Sequence, residues 1–296
     1  LKEDIHQCMK MGIVHRAAFP LAASKRGGTI ESMMDIVRDP FFDAIELTSI
    51  PDPAERTEVT QLLLSSGMMV CYHAQPRPSA AKPLSIGSLI ERERRSAIQE
   101  LKEAIDEASE MHAEMVTISD EFISGAFLHK NTLPALEQSL QEIGRYAASK
   151  GAMKAAYEPP FTFSNEPPRE TIAKIPGTGV YIDVEHLPAH YEMNDRNMKH
   201  VKKQLIYSRI GNCSKDGRYQ QHVAARQQAV NTEQLMHFLR NLCKMDYIGE
   251  GKQKVLALGV KPLAGESPQA VIAGGKRTLL EAWRLLQRHS AIWPEC

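Results

Sequence analysis

Net charge is the first thing this sequence lacks. Its 36 Lys and Arg residues balance 36 Asp and Glu. No basic excess exists to follow nucleic-acid phosphates or an anionic lipid surface, so neither nucleic acid nor membrane is expected as a partner. Long apolar runs are missing too: no stretch reaches the roughly 18 residues that a membrane-spanning helix needs. Paired cysteines are absent. The five present, Cys8, Cys71, Cys213, Cys243 and Cys296, are odd in number and scattered, with no C-x-x-C pair. That argues against a disulfide scaffold or a zinc knuckle and for a reducing, cytoplasmic compartment. The residues show no targeting segment. A Gly-rich phosphate turn after the first apolar run is also missing, since Val14-His15-Arg16-Ala17 stands there. A doubly wound dinucleotide-binding sheet is thereby disfavoured, and no nucleotide cofactor is expected.

What is there reads as a globular chain, with 43% hydrophobic and 24% charged residues. Its 296 residues allow two domains of about 150 residues or one α/β barrel of roughly 250 with insertions. Repetition decides between them. Short β-branched or apolar runs recur at 11–15, 44–48, 68–73, 115–118, 153–158, 180–184, 205–210 and 255–260, and most are followed by an amphipathic helical stretch. Asp52-Pro53-Ala54-Glu55 supplies a helix N-cap, a first-position proline and a capping-box Glu. Ser267-Pro268 repeats the cap and proline, and Asn231 with Gln234 gives a third start. Apolar stripes run through Ile90, Ala97, Ile98, Leu101, Ile105 and Ala108, through Leu136, Leu140, Ile143 and Ala147, and through Leu235, Phe238, Leu239 and Leu242. Gly67 and Gly151 sit where helices stop. Fainter helices are expected near 168–175 and 191–203. Strand and helix alternating eight times without a linker predict a (β/α)8 TIM barrel, a single domain over 1–296.

In such a barrel the chemistry sits at the carboxyl ends of the strands. The runs end at His15; at Glu46 and Thr48; at His73 and Gln75; at Ser119, Asp120 and Glu121; at Glu158; at Asp183, Glu185 and His186; at Ser208, Arg209 and Asn212; and at Lys261. Polar groups that end apolar strands are costly to bury unless paired or ligated. Each has a plain structural alternative: His15 and His73 as hydrogen-bonded core histidines, Glu46 as an ion-pair partner of Arg209 or Lys261, and Lys261 as a partner of Glu46 or Glu266. Together they suit a small polyhydroxylated substrate or a divalent metal. Other basic stretches read as ordinary structure. Lys25 to Gly28 is a loop, Gly274 to Arg277 the interior of the last helix, and Glu91 to Arg95 a solvated helix face. The segment from Gly211 to Asn231 is long for a strand-to-helix connection and reads as a lid or specificity element.

Several strand-end pieces carry a resemblance. They are Gly12-Ile13-Val14-His15 with Ala18-Phe19-Pro20, Pro40-Phe41-Phe42-Asp43-Ala44-Ile45-Glu46, Tyr157-Glu158-Pro159, and Ile182-Asp183-Val184-Glu185-His186-Leu187-Pro188. Ile210-Gly211-Asn212-Cys213 and Val260-Lys261-Pro262-Leu263-Ala264-Gly265-Glu266 follow in the same order. Together the chain resembles sugar phosphate isomerase/epimerase-type proteins of the xylose isomerase-like barrel superfamily. The resemblance implies one divalent ion, Mn or Mg, held by Glu, Asp, His and Glu from strands five to eight. The two Glu ligands would also move a proton next to a substrate carbonyl. Glu158 and Asp183 match the first two places. Arg209 stands in the third in place of His, and Gly259 in the fourth in place of Glu.

Two readings of that departure stay open. His186 and His222 could supply nitrogen ligands beside Glu158 and Asp183, rebuilding the metal site. Alternatively Arg209 replaces the metal and polarises a carbonyl or holds an anion, with Glu158, His186 or His15 as general base and Lys261 as a stabilising cation or nucleophile. The resemblance thus implies an isomerase, epimerase or related lyase with Glu158, His186, Lys261 and Arg209 as catalytic candidates. His15, Glu46, His73 and Asn212 are the candidates for contacting a small-molecule substrate. The competing class is a barrel with altered or decayed chemistry, kept as a metal-free enzyme or as a binding or scaffold subunit. Exterior helices leave room for a homo-oligomer, though no residue pattern demands one.

Overall fold

Runs rich in β-branched and small apolar residues become strands because both faces of a parallel sheet are covered, one by the barrel interior and one by helices. The structure, a computed structural model, describes residues 5–24, 27–74, 84–119, 132–151, 153–158, 178–184, 204–211, 228–249, 251 and 254–290. Its strands are β1 (Lys10–Val14), β2 (Ala44–Leu47), β3 (Met69–Ala74), β4 (Met115–Ile118), β5 (Lys154–Tyr157), β6 (Thr178–Asp183), β7 (Leu205–Gly211) and β8 (Val255–Gly259). They close in chain order into a parallel barrel, the (β/α)8 fold expected from the sequence.

The helices described are α1 (Ile5–Cys8), α2 (His15–Ala18), α3 (Gly28–Val37), α4 (Pro53–Ser66), α5 (Glu91–Glu110), α6 (Thr132–Ser149), α7 (Gln228–Lys244) and α8 (Pro268–Ser290). The chain packs as two compact units, Leu1–Glu46 with Asp183–Cys296, and Leu47–Ile182.

In the first unit, β1 pairs with β2 and β8, and β8 with β7. Registered residues of a parallel pair share a face. Gly12 and Val14 therefore line up with Ala44 and Glu46 on one side, and Gly12 with Ala257 on the other. Ala257 and Gly259 match Arg209 and Gly211. Small residues crowd this face. A Cβ on Gly12 would stand 2.9 Å from Val255 Cγ1 and 3.2 Å from Ala257 Cβ, so only glycine fits that seam. The alternate residues Ile13, Ile45, Ile210 and Leu258 are fully buried on the opposite, helix-covered face.

In the second unit, β3 to β6 pair in sequence. The register places His73, Thr117, Ala156 and Gly179 on one face. By the two-residue period Ser119, Glu158 and Tyr181 join them. Helix α4 starts as expected: Asp52 Oδ1 accepts from the Ala54 amide at 2.9 Å, and Gly67 ends the helix at φ 70°. The stripes Ala97 to Ala108 on α5, Leu136 to Ala147 on α6 and Leu235 to Leu242 on α7 are buried.

Five details depart from the sequence reading. His15 opens α2 instead of closing β1. Asn231 lies inside α7, because Gln228 and Ala229, both good helix formers, extend the helix upstream. Glu55 makes no capping-box bond from Oε1, which has no hydrogen-bond partner among the described residues. Ile90 precedes α5 and is exposed. Arg94, read as part of a solvated face, is buried; its guanidinium donates to Glu91 Oε2 at 2.6 Å and to Ser139 Oγ at 3.1 Å. Gly274 to Arg277 are interior to α8, as expected. The helices near 168–175 and 191–203 lie outside the described residues, as do Lys25, Arg26 and nearly all of the long segment before α7.

Candidate active site

Three charged side chains meet in the first unit. Arg209, on β7, donates from Nη2 to Glu46 Oε1 at 2.6 Å and from Nη1 to Asp183 Oδ2 at 2.9 Å. The Glu46 and Asp183 side chains are each 1% exposed and that of Arg209 12%. Glu46 is held by the β1–β2 register beside Val14, and Asp183 is the last residue of β6. Reaching Glu46 takes the arginine past β8 and β1, a path open only through the barrel interior. Two buried carboxylates would each carry a desolvation penalty of several kcal/mol if left alone; one guanidinium answers both. Glu46 Oε2 is buried and has no hydrogen-bond partner among the described residues.

Gly259, at the end of β8, is part of this arrangement. A Cβ placed there would lie 3.3 Å from Arg209 Cδ and 3.4 Å from Arg209 Cγ. The arginine stem occupies the space that a side chain at 259 would use.

The second unit holds two further polar groupings on the shared face. Tyr181 donates its hydroxyl to Glu158 Oε2 at 2.8 Å. The β5–β6 register, Ala156 to Gly179, carries these two residues to adjacent positions one step further on. Glu158 follows β5, is half-buried, and its amide donates to Ile118 O at 3.0 Å. On the neighbouring strands, His73 Nδ1 lies 2.9 Å from Thr117 Oγ1 and its Nε2 lies 3.4 Å from Ser119 Oγ. All three are buried. Tyr181 and Thr117 carry polar groups that strand-end reasoning passes over, because they precede the strand termini by one or two residues.

Two more of the expected residues, His15 and Lys261, belong to the first unit. His15 is 8% exposed, stacks on Phe19 and lies 2.7 Å from Ser32 Oγ through Nε2. Ser32 faces the carbonyls of Gly28 and Thr29, each at 2.9 Å. With its single proton engaged there, its oxygen accepts from His15 Nε2–H, which sets a neutral tautomer. Burial pushes the His15 pKa down from 6.5 to about 4. This histidine is packed toward α3 as a hydrogen-bonded core histidine. Lys261 follows β8 and is exposed. Glu46 pairs with Arg209, and Glu266 Oε2 accepts from the Leu263 amide at 2.9 Å. His186, Asn212 and His222 lie outside the described residues, as do Gln75, Asp120, Glu121 and Glu185.

Eight parallel strands closed in order, with helices between them, define a (β/α)8 barrel. The family model described as xylose isomerase-like TIM barrel matches residues 36–243, and the chain belongs to that family. Solved structures agree in fold. A D-tagatose 3-epimerase-like protein aligns over 95% of this chain and 99% of its own, with 17% identity and a TM-score of 0.64. An L-ribulose 3-epimerase aligns over 96% and 97%, with 12% identity and a TM-score of 0.71. A 3-keto-D-glucoside 4-epimerase from E. coli aligns over 91% and 98%, with 14% identity and a TM-score of 0.62. No curated protein sequence matches the chain significantly.

A divalent ion of the type this family resemblance implies does not fit the described donors. Asp183 is bonded to Arg209, and the two positions that the resemblance matches to a His and a Glu ligand hold Arg209 and Gly259, neither of which can ligate an ion. No cluster of three His, Cys, Asp or Glu side chains placed to hold a metal occurs among the described residues. Charge also opposes an ion at Asp183. Two unit charges about 4 Å apart interact by roughly 4 kcal/mol near a protein surface, so a divalent ion beside a guanidinium meets about twice that in repulsion.

Proposed function

We propose that this chain is an enzyme of the sugar isomerase and epimerase type, acting on a small sugar-like or hydroxy-carbonyl substrate by moving a proton at the carbon next to its carbonyl. Glu158 is the general base. The observation that carries this reading is the Tyr181 hydroxyl held 2.8 Å from Glu158 Oε2. A carboxylate held by a phenol and half-buried behind a strand terminus is suited to act as a base. His73, kept in place by Thr117 and Ser119, is suited to hydrogen-bond a substrate hydroxyl. Family membership and the epimerases among the structural neighbours support the same class.

Gly259 favours a second reading. The acid that would complete a two-base epimerase is missing at that position, which suits a barrel retained for binding.

Proton exchange separates the two. The protein, incubated in D2O with a panel of ketoses and followed by NMR, should wash deuterium into the carbon next to the carbonyl. Glu158→Gln should slow that exchange by about 10²–10⁴-fold while leaving the melting temperature within a few degrees. Absence of exchange in every ketose would leave the binding reading standing.

A further inference from the structure

We propose that Arg209 and Gly259 are one exchanged unit: the guanidinium takes the place of a divalent ion, and the bare Cα of Gly259 makes that place available to it. Arg209 has little freedom. It is fixed at one end by β7, and at the other by Glu46 at 2.6 Å and Asp183 at 2.9 Å. Between those anchors its stem crosses β8, where a Cβ on residue 259 would press on Cδ at 3.3 Å and Cγ at 3.4 Å. A side chain there would have to push the stem sideways and draw the guanidinium off a carboxylate.

Gly259 is therefore more than a missing ligand. It is the partner that lets an arginine run along the wall and stay there. The guanidinium is permanently charged and forked, so it answers two carboxylates at once where a lysine would answer one. Carboxylates are the donors a hard cation selects, and Asp183 is already engaged with the protein's own cation. The exchange stands apart from the reaction proposed above and holds for a binding protein equally.

Two measurements test it. The first is titration of the wild-type protein and Asp183→Asn with MnCl2, reading free Mn2+ by electron paramagnetic resonance. The expected result is no Mn2+ binding that depends on Asp183; micromolar binding that Asp183→Asn abolishes would overturn the proposal. The second is a cycle of Gly259→Ala in the wild type and in Arg209→Ala, read as melting temperature. Gly259→Ala should lower it by about 3–5 °C when the arginine is present and leave it nearly unchanged when the stem is gone. Equal shifts in both backgrounds would mean that the two positions are not coupled. If Arg209→Ala does not fold, the Mn2+ titration still decides.

Discussion

Arg209 Nη2 stands 2.6 Å from Glu46 Oε1, joining β7 to β2 through the inside of the barrel. With Nη1 on Asp183 at 2.9 Å, one side chain ties together residues 163 and 26 positions away in sequence. Arg209→Met keeps most of the stem and removes the guanidinium that both buried acids share. Urea denaturation should show a loss of about 3–5 kcal/mol with an unchanged denaturant slope. A loss below about 1 kcal/mol would mean that water already screens the pair.

His15 should make stability depend on pH in a defined direction. Its folded pKa, about 4, lies below the ordinary 6.5, so between those values the unfolded chain binds the extra proton. The contribution is complete above about pH 6.5 and is lost as pH falls towards 4. Burial of this order corresponds to about 3 kcal/mol. His15→Gln keeps a donor near Ser32 and cannot titrate. Its stability should vary less than that of the wild type between pH 6.5 and 4; identical curves would remove His15 from the effect.

Tyr181→Phe keeps the buried ring and deletes one donor. A hydrogen bond to a carboxylate contributes about 1.5–3 kcal/mol, so stability should fall by that order. Under the reaction proposed for Glu158, kcat should also fall with little change in KM, because the phenol orients the base and does not bind the substrate. Unchanged kcat would leave Tyr181 with a structural task alone.

Much of this architecture is legible in the residues. The apolar runs coincide with the strands to within two residues at every terminus, because an apolar run bounded by a helix cap or a glycine has few ways to pack. The ionic cluster was half legible: Glu46, Asp183 and Arg209 stand out as charges ending apolar strands, and an ion pair between the first and last is one of the readings they allow. What sequence leaves open is register and depth. His15 falls on the face of Ile13, opposite Glu46 and Val14, and packs on a helix; a period of two carried one residue further signals this. Tyr181 meets Glu158 only because Ala156 registers with Gly179, and no local pattern announces a pairing between strands joined by so long a connection. Arg94 reads as solvated because charge dominates its neighbourhood, yet the 3.6-residue period sets it beside Ala97 and Ile98 on the buried side of α5.

The engagement of both arms of Arg209 has a consequence for the ligands this wall will tolerate. A phosphate or carboxylate arriving at the β2–β7 side would find no vacant fork to clamp it. It would meet instead two acids that share that guanidinium. The charges of that wall are supplied by the chain's own side chains, and both arms of its guanidinium are already engaged.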